Sequence, residues 1–371
     1  MQHLFTPIRI GSLTLKNRFL RSATFEGQAA PDGQATPKLI DTMAALARGR
    51  VGLIVTGNAY VRGDGRTRPT QMAIDRDDLL PGLAQMAEAV HREGGRIAVQ
   101  IAHSGCYSDP VGGGTPLGLS CPGPGQLPAC RELTGEDVSE LAAAFAQAAA
   151  RAKQAGFDAV QLHAAHGYLL SQSLSPFFNR RTDEFGGPIE KRMQILLAVY
   201  RAVRAAVGAD FPVLIKINSR DYLEPGLVPE ETAVVCRALQ DEGIDLVELS
   251  GGTMASDPRF SPIRAGRCDT PEREAWFRAD AARIKAALRV PVALVGGVRT
   301  PQTALALVND GVCDLIALSR PLIREPGLIA RWQDGDLRPS ACLSDNLCMA
   351  EARSGKGLRC VNEERGEAQE N

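Results

Sequence analysis

The chain has 371 residues, 44% of them hydrophobic, enough for one large domain or two smaller ones. Its 42 basic and 43 acidic residues leave a formal net charge of −1, which argues against a nucleic-acid surface or a polybasic membrane patch. No stretch approaches the ~20 apolar residues of a membrane span, the start MQHLFTPIRIGSLTLKNRF shows no secretory signal, and nine cysteines in a chain of this size do not form a disulfide framework, so a cytoplasmic protein with no membrane or nucleic-acid partner is expected.

Short, nearly continuous apolar runs predict strands at Phe19–Ser22, Val51–Thr56, Arg96–Ile101, Ala159–His163, Val213–Ile217, Leu246–Ser250, Val292–Val295 and Leu315–Leu318. Such runs suit strands buried on both faces. Between them, apolar residues at three- and four-residue spacing predict helices at Leu79–Arg92, Asp137–Gln154, Glu190–Val207, Glu230–Asp241, Glu272–Leu288 and Thr303–Asn309. Thr134-Gly-Glu-Asp and Thr300-Pro are start signals. Gly94, Gly156, Gly243 and Gly311 are stops. Eight strands alternating with helices predict an α/β fold, a (β/α)8 TIM barrel. The rival, an open doubly wound sheet, needs a GxGxxG turn after the first strand. Ala23-Thr-Phe-Glu-Gly stands there instead. The barrel is assigned to residues 1–335, and a cysteine-containing, partly disordered tail to 336–371. The Gly- and Pro-rich loop from Ser104 to Pro128 reads as a lid, a substrate wall or a surface excursion. The polar end, Asn362 to Asn371, is expected to be disordered.

In such barrels chemistry sits where the strands end. The residues there are Ala23–Thr24, Gly57–Asn58, Gln100 with His103, His163 with His166 and Tyr168, Lys216, Ser250–Gly252, Gly296–Gly297 and Ser319–Arg320. They form a polar, slightly cationic ring suited to an anionic, hydrogen-bonding ligand. Gly296, Gly297, Ser319 and Arg320, after strands seven and eight, match the phosphate site common in barrels. Glycine lets backbone N–H groups approach phosphate oxygens, and arginine adds a bidentate charge. Gln100 can both donate and accept, as the pyrimidine edge of a flavin requires. Lys216 either stabilises negative charge on a reduced flavin or pairs with a carboxylate. His163 and His166, three residues apart, can donate together to one oxygen, polarising a carbonyl or holding an oxyanion. Tyr168 can deliver a proton from a different angle. Satisfied core histidines are the alternative. A zinc site is not expected, because no Asp, Glu or Cys falls nearby at ligand spacing.

The segments HAAHGYLLSQSLSPFFNRRTDEFGG, LKNRFLRSAT, GLIVTGNAYV and VQIAHSG resemble the Old Yellow Enzyme family of FMN-dependent ene reductases over about Leu4 to Trp332. The resemblance implies FMN as cofactor and NADH or NADPH as hydride donor. It implies that His163 and His166 bind a substrate carbonyl oxygen and that Tyr168 protonates the α-carbon. It implies that Ala23, Thr24, Gly57 or Asn58, and Gln100 line the flavin, with Lys216 by its N1 and O2. Gly296, Gly297, Ser319 and Arg320 would hold the phosphate. The substrate class is an activated alkene, such as an α,β-unsaturated carbonyl compound. The RTDEFGG run with Glu190 and Arg192 carries a structural role. Members of the family are often oligomeric.

Two places depart from the pattern. Phe25 stands where relatives place Thr or Cys near the flavin edge. In the tail, ACLSDNLCMAEARSGKGLRCV resembles a four-cysteine iron–sulfur site of larger relatives similar to 2,4-dienoyl-CoA reductase. Here Cys342, Cys348 and Cys360 remain, but Asp345 replaces a cysteine, so no iron–sulfur cluster is expected. The alternative function is a flavin-dependent dehydrogenase or demethylase that passes electrons to a partner. A flavin-barrel tRNA dihydrouridine synthase would need a basic surface, which the net charge opposes.

Overall fold

The computed structural model describes residues 1–120, 128–266, 268 and 270–362. The tip of the Ser104–Pro128 loop and the end expected to be disordered, 121–127 and 363–371, lie outside the described residues. The eight barrel strands are β1 Phe19–Arg21, β2 Leu53–Tyr60, β3 Ile97–Ala102, β4 Ala159–Ala164, β5 Val213–Asn218, β6 Leu246–Ser250, β7 Val292–Val295 and β8 Leu315–Leu318. All pair in parallel, in chain order, and β8 closes on β1 through Ile316 opposite Phe19. This is the (β/α)8 barrel that the alternation predicts.

The principal helices are α1 Pro37–Arg48, α2 Leu80–Arg92, α3 Gly135–Gln154, α4 Leu169–Leu174, α5 Ile189–Arg192, α6 Gln194–Val207, α7 Pro229–Asp241, α8 Arg278–Ala286, α9 Pro301–Asn309, α10 Arg320–Arg324, α11 Leu328–Gln333 and α12 Leu347–Arg353. Helix α3 starts with a capping box between Thr134 and Asp137. Helix α1 was not among the predicted elements. Its start signal is nonetheless plain: Thr36 accepts from the Leu39 N–H at 3.2 Å and Pro37 opens the helix. The predicted helix Glu272–Leu288 shrinks to α8. Ala275 takes φ +53° and the Trp276 N–H bonds the Gly296 carbonyl at 3.0 Å, which turns this segment toward the barrel mouth.

Side chains alternate between the barrel's inside and its helix-facing outside. Phe19, Ile54, Val99, Leu162, Ile215, Val247 and Ile316 join the outer core. Inside, β1 and β3 to β6 change chemistry along their length. The lower level is apolar: Leu20, Ala98, Ala159, Leu214, Leu246 and Leu315. Ile10 and Leu15, from an antiparallel hairpin of Ile8–Ile10 with Leu13–Leu15, close this end. Two residues further along, the same faces carry Ser22, Gln100, Gln161, Lys216 and Glu248, all buried. A third step brings His163, Asn218 and Ser250. The polar end of the barrel is therefore its C-terminal face, written strand by strand at a spacing of two. No helix among the described residues is long and apolar enough to cross a membrane.

The described part of the tail lies against this face. Cys348, Met349, Ala352 and Leu358 form a small core with Phe25, Ile263 and Ile323. The Leu358 N–H bonds the Glu26 carbonyl at 2.7 Å, and Gln28 Nε2 bonds the Leu358 carbonyl at 3.1 Å. Phe25 is thus part of the seat of helix α12.

Candidate active site

A cavity of about 510 Å3 opens at the C-terminal face. On one side its wall comes from β4, β5 and β6. Strand register sets His163 opposite Lys216, and Lys216 opposite Glu248, in one row across three strands. Lys216 Nζ lies 3.0 Å from Glu248 Oε1 and donates to Ser22 Oγ at 2.6 Å. Ser22 Oγ donates to Glu248 Oε1 at 2.5 Å, and Gln161 Nε2 to Glu248 Oε2 at 2.8 Å. Gln100 Nε2 donates to Gln161 Oε1 at 2.7 Å. The ion pair is 4% and 0% exposed at its two side chains, so it survives only because hydrogen bonds satisfy what remains of both charges. Lys216 both lines the cavity and pairs with a carboxylate.

The chain after β4 makes a tight turn. His166 adopts φ +66° and Gly167 φ +80°. The His166 N–H bonds Asn218 Oδ1 at 3.1 Å, which pins the turn to the end of β5. The rings of His163 and His166 meet edge to face, centroids 5.3 Å apart, and Tyr168 packs on His163 at 4.9 Å. All three line the cavity. Burial pushes the His163 imidazolium pKa down to about 3, with the Lys216 charge adding to it. Burial, Lys216 and His163 also hold His166 well below the ordinary imidazole value. Both rings are therefore neutral at neutral pH, each with a single N–H to give. His163 Nδ1 is buried without a protein partner. His166 Nε2 is 2.8 Å from Ser250 Oγ. When Ser250 donates there, His166 Nδ1 carries the proton and can address the cavity.

The opposite side is built from backbone and guanidinium groups. Gly297 takes φ +80°, and a Cβ there would lie 2.7 Å from the Trp276 ring. Only glycine combines that backbone with that contact. Gly296 and Gly297 line the cavity next to Arg299, Ser319 and Arg320. Arg320 donates to the Arg264 carbonyl at 2.8 Å and to Asn346 Oδ1 at 2.6 Å. Arg299 donates to Ser344 Oγ at 2.6 Å, while its Nε is buried without a partner. Thr24 Oγ1 and Ser319 Oγ, 2.7 Å apart, join the first strand to the last.

The structure gathers Ala23, Thr24, Phe25, Asn58, Gln100, His163, His166, Tyr168, Lys216, Gly296, Gly297, Ser319 and Arg320 around this one cavity. Gly57, also expected at the flavin, does not line the cavity. It sits beside the cavity wall, where its N–H donates to Glu26 Oε1 at 2.8 Å and a Cβ would lie 2.0 Å from Glu26 Oε2. Glu26 in turn pairs with Arg21 at 2.8 Å, so Gly57 serves a buried ion pair. His103 also turns away. It is buried between Asp64 Oδ1, at 3.2 Å from Nε2, and the Gly105 N–H, at 3.1 Å from Nδ1. The RTDEFGG run has the structural role expected of it. Arg181 grips Asp183 and donates to the Leu133 carbonyl at 2.6 Å, and Asn179 Nδ2 ties the Phe185 carbonyl at 2.7 Å.

A family model described as NADH:flavin oxidoreductase / NADH oxidase matches residues 3–337. The chain belongs to that family. It is 34% identical to an NADH oxidase of Thermoanaerobacter brockii, over 96% of this chain and 55% of that protein. It is 32% identical to an NADPH dehydrogenase of Bacillus subtilis, over 87% of this chain and 92% of that protein. The old yellow enzyme homologue of Zymomonas mobilis superposes with a TM-score of 0.77 at 28% identity, over 92% of this chain and 95% of that one. The chain spans about half the length of the Thermoanaerobacter relative and nearly the full length of the other two.

Several cavity residues leave no signal in the sequence. Trp276 and Phe277 fall in a stretch whose apolar spacing predicts a helix, and Arg299, Met254 and Ile263 carry no motif; behind the wall, buried Glu248 is the partner of Lys216. In the tail, Cys342, Cys348, Cys360 and Asp345 line a small cavity of about 10 Å3 under Arg320. Burial pushes the Cys348 thiol up to about 11. Among the described residues no three His, Cys, Asp or Glu side chains are gathered to hold a metal ion.

Proposed function

We propose that the protein is an FMN-dependent oxidoreductase that uses NADH or NADPH to reduce an activated alkene, such as an α,β-unsaturated carbonyl compound. The observation that carries this reading is the pair of neutral imidazoles, His163 and His166, converging with Tyr168 on a cavity whose far side offers guanidinium groups. In this reading residues 1–335 are the flavin-binding barrel, and the tail, 336–371, completes its wall.

The residues present fit FMN. The buried, partnerless Arg299 Nε and the open backbone at Gly296–Gly297 suit a phosphate. The Gln100 amide, fixed through Gln161, keeps an oxygen for a ring N–H. Lys216, held by Glu248, offers a cation to the pyrimidine edge. When bound, FMN supplies hydride transfer from the nicotinamide to the β-carbon of the alkene.

His163 and His166 donate to the substrate oxygen and meet the negative charge that builds there. Because both are neutral, their N–H groups polarise the oxygen by hydrogen bonding and keep their protons, and removing one such donor costs about 10²–10³ in rate. Ser250 and Asn218 hold His166 in place for this. Tyr168, packed on His163, holds the proton for the α-carbon. Phe25, Met254, Ile263 and Met349 give the cavity apolar walls that limit water.

The test is to add FMN to the purified protein under anaerobic conditions, then NADH or NADPH, then 2-cyclohexenone. The expected sequence is flavin uptake, bleaching by the nicotinamide and recovery of the oxidised spectrum by the enone. Failure to take up FMN, or a bleached flavin that no activated alkene re-oxidises, overturns the reading.

A further inference from the structure

The charges around the cavity do not balance. Five cationic side chains line it, Arg68, Lys216, Arg299, Arg320 and Arg353, against one carboxylate, Asp109. Glu248 neutralises Lys216 at 3.0 Å, and Arg66 neutralises Asp109 at 3.2 Å. Among the described residues the four arginines of the wall make no ion pair. The phosphate of the proposed FMN accounts for Arg299 and Arg320, which adjoin Gly297 and Ser319. Arg68 and Arg353 remain.

These two come from distant parts of the sequence. Arg68 follows β2, and Arg353 ends α12 in the tail. Both flank the loop after β1. On one side, the Ala29 N–H bonds the Thr70 carbonyl at 3.3 Å. On the other, a Cβ on Gly27 would lie 2.4 Å from the Ala352 carbonyl, and Leu358 bonds Glu26. Phe25 of that loop lines the cavity as well. Both arginines are exposed, so they stand at the cavity mouth rather than in its floor. An anion bound there would gain charge-assisted contacts without a large desolvation cost to the arginines.

We infer that Arg68 and Arg353 form an anion subsite at the mouth, which binds the carboxylate or phosphate of the molecule whose reacting end lies against His163 and His166. The inference rests on the functional reading above for what lies against the histidines. Two sources supply such an anion: a carboxylate on the alkene substrate, remote from its carbonyl, or the 2′-phosphate of NADPH. The tail then contributes directly to the choice of substrate or of hydride donor.

The test uses the FMN-loaded enzyme and its Arg68→Gln, Arg353→Gln and double variants. Binding of cyclohexenones bearing ω-carboxyalkyl arms, and of their methyl esters, is measured by calorimetry. Flavin reduction by NADPH and by NADH is compared in parallel. The double variant is expected to lose about tenfold for the anionic member of a pair and nothing for the neutral one. The loss shrinks as salt is added, and Arg→Lys replacements restore part of it. A loss confined to the acids assigns the subsite to substrate, and one confined to NADPH assigns it to the donor. Unchanged acid/ester and NADPH/NADH ratios in the double variant overturn the subsite. Acids that bind through the two arginines without being reduced would leave the subsite standing and remove the ene-reductase reading.

Discussion

The two sides of the cavity are built on different principles. On the β4–β6 side, side chains do everything: register lines up His163, Lys216 and Glu248, and hydrogen bonds through Ser22, Gln161 and Gln100 lock them. On the β7–β8 side, the backbone opens at Gly296–Gly297, and Arg299 and Arg320 hang on neutral acceptors. The first arrangement suits charge that must be met at one point. The second suits a diffuse anion that needs only close approach and positive potential. A mutation on the first side should therefore damage stability and chemistry together, and one on the second should damage affinity.

The largest effect is expected at the centre of the first side. Glu248→Ala strands the Lys216 charge and the Gln161 amide inside the barrel, and should cost about 3–5 kcal/mol of stability by chemical denaturation. A cost below about 1 kcal/mol would mean that the network does not act as one unit. Next comes Tyr168→Phe, which keeps the ring contact on His163 but removes the proton donor. It should slow alkene reduction about 10²-fold while flavin reduction by NAD(P)H stays near the wild-type rate, as stopped-flow would show. On the second side, Gly297→Ala forces a side chain into a left-handed backbone beside Trp276. It should weaken FMN binding about tenfold by titration, with little change in turnover once FMN saturates. The smallest effect is a flat response to pH. Since burial keeps both imidazoles neutral, with His163 pushed down to about 3, this pair should change alkene reduction by less than about twofold between pH 8 and 5. The linkage sign is that of a depressed histidine: its stability contribution is full above pH ~6.5 and fades as pH falls toward 3, because the unfolded chain takes up the protons first.

The barrel was legible because eight buried strands leave continuous apolar runs, and their C-terminal ends are where polar residues begin. That rule found His163, Lys216 and Gly296 at once. It placed Gly57 in the wall too, because a strand-end glycine gives no hint of whether it faces a ligand or makes room for a buried carboxylate such as Glu26. His103 shows the same limit, since one residue past the strand the chain can turn either way. Glu248 left a readable trace: a lone acid at an inward position of LVELS, one strand after the lone lysine of VLIKI. Register, which sequence spacing does not give, made them partners. Trp276 and Phe277 were hidden by apolar spacing that mimics a helix, and the turn at Ala275 depends on a bond to Gly296 from another strand.

The role of the two imidazoles is decided by a pair of half-reactions in His163→Ala/His166→Ala. The FMN-loaded double variant is reduced by NAD(P)H, then mixed anaerobically with 2-cyclohexenone, and flavin absorbance is followed in each step. FMN binding and flavin reduction are expected to stay close to wild type, with re-oxidation by the enone slowed at least ~10²-fold. Re-oxidation at the wild-type rate would contradict that role, because the two imidazoles would then not be the groups that meet the charge on the substrate oxygen.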